Sequence, residues 1–136
     1  GVDMGRDGCR VPLPWTRSGD SFGFGADGAH LPQPEWFGAV SVEAQEEEPD
    51  STLTLYRCAL ALRHELQTAE ELAWVDTGRA DVVWFTRPNG WSVVTNFGTE
   101  PYALDARLRT AERLLASADS PQGTLVGEST VWLREA

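Results

Sequence analysis

Apolar side chains recur at helical spacing in one clean stretch of this chain, PDSTLTLYRCALALRHEL, where Leu55, Tyr56, Ala59, Leu60, Leu62 and Leu66 return every three or four positions. Pro49 precedes it and Asp50 or Ser51 offers an N-cap, so the pattern predicts a helix over about 51–67. Glu46 to Glu48 stand where the positive end of the helix dipole favours carboxylates and read as a solvated acidic entrance.

Upstream, residues 1–49 show no period. Pro12, Pro14, Pro32, Pro34 and Pro49 alternate with seven glycines from Gly5 to Gly38. Prolines lack the amide donor and glycines cost backbone entropy, so neither a long helix nor a central strand fits. Irregular stretches of that length are functional or belong to something larger. Downstream, 72–136 is strand-like. DVVWFTRPNGWSVVTNFG predicts a hairpin about Pro88-Asn89-Gly90, since Asn and Gly tolerate the positive φ of a tight turn. STVWLRE (129–135), with Val131 and Leu133 on one face, and LAWVD (72–76) are further strands. In LDARLRTAERLLAS, Leu104, Leu108, Ala111 and Leu115 repeat at helical intervals, and the pattern alone predicts a helix.

Composition narrows the classes. With 136 residues, 41% hydrophobic and 24% charged, the chain has the make-up of a folding domain rather than a disordered one. A net charge of −10 sets it against phosphate backbones and anionic lipid, so neither nucleic acid nor membrane is an expected partner. No run approaches the roughly 18 apolar residues of a membrane span, and no secretory signal pattern stands at the start. Cys9 and Cys58 form neither a disulfide framework nor a zinc site, and both are expected reduced, in a cytoplasmic protein. Position 1 is Gly, and a dense motif follows within four residues. The expectation is a piece of a longer protein.

Single motifs carry little chemistry. GFGADG (Gly23 to Gly28) has G-x-G-x-x-G spacing, but Arg17 to Asp20 before it and the proline-rich run after it supply neither the strand nor the helix of a dinucleotide loop. His30 and His64 assemble no triad with Cys9 or Cys58, and Asp20 with Asp27 lacks the alternating oxygen ligands of a calcium loop. No cofactor or metal is expected. Of the six tryptophans, Trp74, Trp84, Trp91 and Trp132 lie in strand-like segments and read as sandwich core. Trp15 and Trp36 lie in the irregular zone, where a ring face could stack on a pyranose.

Four blocks in order, GRDGCRVPLPW, FGFG, LPQPEWF and VSVEAQEEEPDSTLTLYRCALALRHEL, resemble the end of the catalytic barrel in the alpha-amylase superfamily, in its α-glucosidase and oligo-1,6-glucosidase branch. The rest, with ERLLAS and a terminal VWLRE, resembles that family's small β-sandwich. The resemblance implies an α+β chain: residues 1–70 as the last segment of a (β/α)8 barrel, rim loop and eighth helix, then 71–136 as an antiparallel β-sandwich. It also implies that 112–117 is a strand after a loop, against its helical period. The R-D-x-x-R-x-P-x-x-W block would lie at the carboxyl-terminal rim, where such barrels build their sites.

By that likeness Arg10 binds the substrate, its fork of donors meeting the 4-hydroxyl of the terminal glucose. Arg6, Asp7 and Trp15 support the loop, and Cys9 packs. Val11, Leu13 and Pro14 replace the Thr, Met and Gln of the isomaltase-type R-T-P-M-Q-W, which leans toward a general α-glucosidase acting on malto- or isomalto-oligosaccharides. A retaining glycosidase needs two carboxylates roughly 5 to 5.5 Å apart. The family's G-F-R-x-D and N-H-D blocks do not occur in this sequence, and GRAD (Gly78 to Asp81) is a chance R-x-D before a strand. The catalytic residues are therefore expected upstream, in the barrel segment that would be this chain's first partner, with the oligosaccharide substrate bound by the complete enzyme. Alone, the 136 residues should be inactive. The competing expectation is a non-catalytic carbohydrate-binding or structural sandwich module.

Overall fold

A computed structural model describes residues 10–135. The chain separates into two compact units, dividing at Arg57/Cys58 inside a helix.

The first unit is mostly irregular, as its prolines and glycines require. It holds two 3-10 turns, Asp20–Gly23 and Glu35–Val40, and a short helix α1 (Val42–Glu46). Helix α2 (Thr52–Leu66) starts here. Ser51 is its cap: its Oγ accepts from Thr54 N at 3.2 Å. The acidic entrance is exposed at Glu46, Glu47 and Glu48, as a solvated run requires, and two of the three carry surface ion pairs. Glu46 ends α1 and pairs with Arg57 at 2.7 Å, while Glu47 pairs with Arg17.

The second unit is a two-layer β structure joined by the rest of α2. Strands β1 (Ala73–Val75), β2 (Val82–Arg87), β3 (Trp91–Asn96), β5 (Glu112–Ala116) and β7 (Ser129–Arg134) form one antiparallel sheet in the order β1-β2-β3-β7-β5. Strands β4 (Tyr102–Ala103) and β6 (Thr124–Leu125) pair in a second, two-stranded sheet. The expected hairpin is β2 and β3, running from the Val82↔Asn96 pair to Arg87↔Trp91, with Asn89 and Gly90 both at positive φ. That conformation is open to these two residue types at little cost.

One face of the large sheet buries Val82, Trp84, Val94, Val131 and Leu133 against Leu104, Leu108 and Leu125. The other face places Trp91 and Val93 against Leu66 of α2, with Leu62, Phe85, Leu114 and Trp132 closing around them. Strand β3 is thus covered on both sides, which is why its sequence reads WSVV rather than as strict alternation.

Two sequence expectations are corrected. Residues 104–117 are not helical: successive turns at Asp105–Leu108 and Leu108–Ala111 lead into β5. The turns return Leu104 and Leu108 to the same core, mimicking a helical period without a helix, and the strand that the family resemblance implies is present. Trp74 is not core. It sits on the edge strand β1, 70% exposed, while Trp84 and Trp91 are buried and Trp132 is partly so.

Candidate functional site

The described end of the R-D-x-x-R-x-P-x-x-W block is a strap held down by its backbone. Trp15 N and Thr16 N both donate to Phe22 O, at 2.8 and 2.9 Å. Pro14 O accepts from Val42 N and Trp15 O from Glu43 N, each at 3.0 Å, and Pro12 O accepts from Gln33 Nε2 at 3.3 Å. Pro12 and Pro14 have no amide hydrogen to leave unpaired and fix their own φ. Arg10 begins the described chain just before this strap and is exposed. Arg6, Asp7 and Cys9 lie outside the described residues.

Phe22 O reaches the strap because the turn around it is forced. Ser21 and Phe22 are non-glycine residues at φ 48° and 49°, a conformation costing on the order of 1 kcal/mol or more each. The ring of Phe22 stands 6.2 Å from Phe37, which Trp36 meets edge-on at 4.6 Å. Glu43 Oε2 accepts from Arg17 N at 2.8 Å. Gly38 is required where it stands, since a Cβ there would overlap the Arg17 carbonyl. Trp15 and Trp36 are both exposed, as are Leu13 and Phe24. Trp15 therefore holds the loop through its backbone and leaves its ring in solvent.

Sequence reasoning missed the clamps: Gln33, the Phe22 carbonyl, and Ser41. The Ser41 side chain is fully buried, donates to Gly38 O at 2.8 Å and accepts from Ala44 N at 3.2 Å, capping α1. Ser before the apolar-spaced VEAQ was the available signal.

The GFGADG stretch begins on the last residue of the first 3-10 turn and runs into turns and bends, and among the described residues no strand leads into it and no helix starts directly from it. GRAD is a brace of the second unit. Arg79 Nε donates to Asp81 Oδ1 at 2.9 Å, Arg79 Nη1 donates to Pro101 O at 3.0 Å, and the guanidinium lies 5.9 Å from the Tyr102 ring. The hydrogen bonds from Arg79 hold the Asp81 carboxyl below the usual carboxylate range, and burial pushes the Tyr102 phenol up. Among the described residues, no three His, Cys, Asp or Glu side chains group to hold a metal ion, and no helix is long and apolar enough to cross a membrane.

No protein-family model matches this sequence, and no curated protein does. Solved structures do match. A trehalose-6-phosphate hydrolase from Bacillus licheniformis aligns with a TM-score of 0.75 and 20% identity over 96% of this chain. An isomaltulose synthase from Klebsiella sp. LX3 aligns with a TM-score of 0.72 and 21% identity over 95%. An alpha-amylase from H. orenii aligns with 0.57 and 22% over 91%. The chain spans about a quarter of each, 26%, 25% and 28% respectively. The fold of this chain is therefore the one found in a portion of each of these three solved structures.

Proposed function

We propose that this chain is the carboxy-terminal portion of a retaining α-glucosidase, contributing a substrate-binding loop and a stabilising sandwich. In this reading residues 1–70 complete a (β/α)8 barrel and 71–136 form the appended domain. The nucleophile and acid/base carboxylates belong to the remaining barrel, and the enzyme works in the cytoplasm on malto- or isomalto-oligosaccharides. Arg10 binds the terminal glucose, with Arg6, Asp7 and Trp15 supporting its loop. The observation carrying the proposal is the strap from Pro12 to Thr16, held by five hydrogen bonds through its backbone N–H and C=O groups. Such pre-organisation suits a residue that must present a guanidinium at fixed geometry. The fold shared with a hydrolase, a synthase and an amylase supports the enzyme class.

The test uses the complete enzyme. Arg10→Ala is expected to lower kcat/KM by the equivalent of about 1.5 to 3 kcal/mol, the worth of a hydrogen bond to a charged group. An unchanged kcat/KM removes Arg10 from the site. The 136-residue chain alone is expected not to hydrolyse p-nitrophenyl α-glucoside, and turnover by it would overturn the assignment of the catalytic carboxylates elsewhere.

A further inference from the structure

The sheet face turned toward α2 carries a row of registered side chains. Trp74 is opposite Phe85, Phe85 opposite Val93, and Val93 opposite Trp132. Directly opposed residues project to the same side, and four strands at about 4.8 Å spacing make this row roughly 14 Å long. It is largely aromatic. Trp74 meets Phe85 edge-on at 5.6 Å, and Trp91 packs on Trp132 at 5.2 Å. Its outer end, Trp74, is open to solvent.

Beside the row lies a cavity of about 220 Å³ whose walls include Phe85, Trp91, Trp132, Arg63, Glu70 and Arg87. Two of these, Arg63 and Arg87, have unused hydrogen-bonding capacity. Arg63 donates Nε to Gln67 Oε1 at 3.1 Å and Arg87 donates Nη2 to Ala69 O at 2.8 Å. Among the described residues neither forms an ion pair, in a chain with 21 acidic and 11 basic side chains. Glu70 adds acceptors, one of them taking Gln67 Nε2 at 2.6 Å.

We propose that this pocket and the adjacent Trp74 ring form a binding site for a pyranose-ring oligosaccharide, separate from the Arg10 loop. Aromatic faces match the apolar face of a pyranose. Hydroxyls, which both donate and accept, match two guanidinium groups and a carboxylate. The cavity is below the roughly 300 Å³ at which pockets for drug-sized ligands begin, so it takes one ring, and a neighbouring ring lies along the row onto Trp74. The chain's net charge of −10 disfavours a phosphate-rich ligand. The site needs nothing from the glucosidase reading.

The experiment is calorimetric titration of the 136-residue chain with maltotriose, with circular dichroism on each variant. Saturable binding is expected, with Kd raised about tenfold, equivalent to about 1.4 kcal/mol, by Trp74→Ala and by Arg63→Gln. Trp74→Tyr, which keeps a stacking ring, should retain most of the affinity, and Arg10→Ala should leave Kd unchanged. No saturable heat would overturn the proposal. So would binding indifferent to Trp74→Ala and Arg63→Gln, or binding abolished by Arg10→Ala. An Arg10→Ala effect on kcat/KM in the complete enzyme is read separately, so either proposal can fail alone.

Discussion

Arg79 grips Asp81 across a single residue through two parallel hydrogen bonds, Nε to Oδ1 at 2.9 Å and Nη2 to Oδ2. The same guanidinium holds Pro101 O, and Phe97 N donates to Asp81 O at 2.8 Å, so the pair pins the loop after β3 to the loop before β2.

This pair makes stability depend on acid. Asp81 binds its proton less readily when folded than when unfolded, so its contribution is present above its ordinary pKa of about 3.9 and is lost as pH falls through the depressed value. Asp81→Asn is expected to flatten that part of the pH dependence. Urea midpoints of parent and variant between neutral and strongly acid pH measure it, and parallel curves would remove the pair from the account.

Asn96 is the polar group whose replacement should cost most. It is fully buried, and the two hydrogens on its Nδ2 serve Glu100 O at 2.9 Å, Val126 O at 3.2 Å and, in a shared bond, Leu125 O at 3.4 Å, while Oδ1 accepts from Gly98 N at 3.1 Å. Asn96→Leu should destabilise by about 1 to 3 kcal/mol for the groups it orphans. Asn96→Asp should be worse at neutral pH, where a carboxylate would face three carbonyl oxygens. It should recover in part on acidification, as a protonated acid can donate to one of them. Denaturant melts of both variants at two pH values decide this.

In the first unit the cap on α1 gives a smaller, graded effect. Ser41→Ala should cost about 1 kcal/mol, whereas Gly38→Ala, which drives a methyl into the Arg17 carbonyl, should loosen the strap itself. Amide hydrogen exchange at Val42 and Glu43, whose N–H groups hold Pro14 O and Trp15 O, would show the difference. Equal protection in both variants would mean that the strap does not depend on this corner.

How much of this was legible in sequence depended on whether the signal was local. Helix α2 and the β2–β3 hairpin were readable because Ser51, Asn89 and Gly90 act on their own neighbours. In residues 104–111 the helical period alone misleads, and only the family resemblance points to the loop and strand that are present, because turns can repeat apolar positions at the interval of a helix: Asp105 caps its own turn through Arg107 N at 3.1 Å and sends Leu108 back beside Leu104. Trp74 was misread for the opposite reason. Being in a strand is local, but being in an edge strand follows from the order β1-β2-β3-β7-β5, which no window of residues contains. The strap was foreseen as a motif, while its clamps were not, because Gln33 and Val42 reach it from 21 and 28 residues away.

The two extremes of burial give a paired check on the core. Leu125 is 1% exposed in the second sheet layer, and Leu125→Ala should cost about 2 to 5 kcal/mol. Trp74→Ala removes a far larger side chain and should change stability by no more than about 1 kcal/mol. Thermal melts of the two variants should reverse the order that side-chain size alone would give.

Strand β7 lies between β3 and β5, yet it follows both in sequence. During synthesis, every other strand of the large sheet is therefore made before the one that joins them. Until Ser129–Arg134 has left the ribosome, the backbone N–H and C=O groups along one edge of β3 lack their β7 partners, and β5 has no neighbour in the sheet. Nascent chains halted before that point expose a sticky, unfinished sheet.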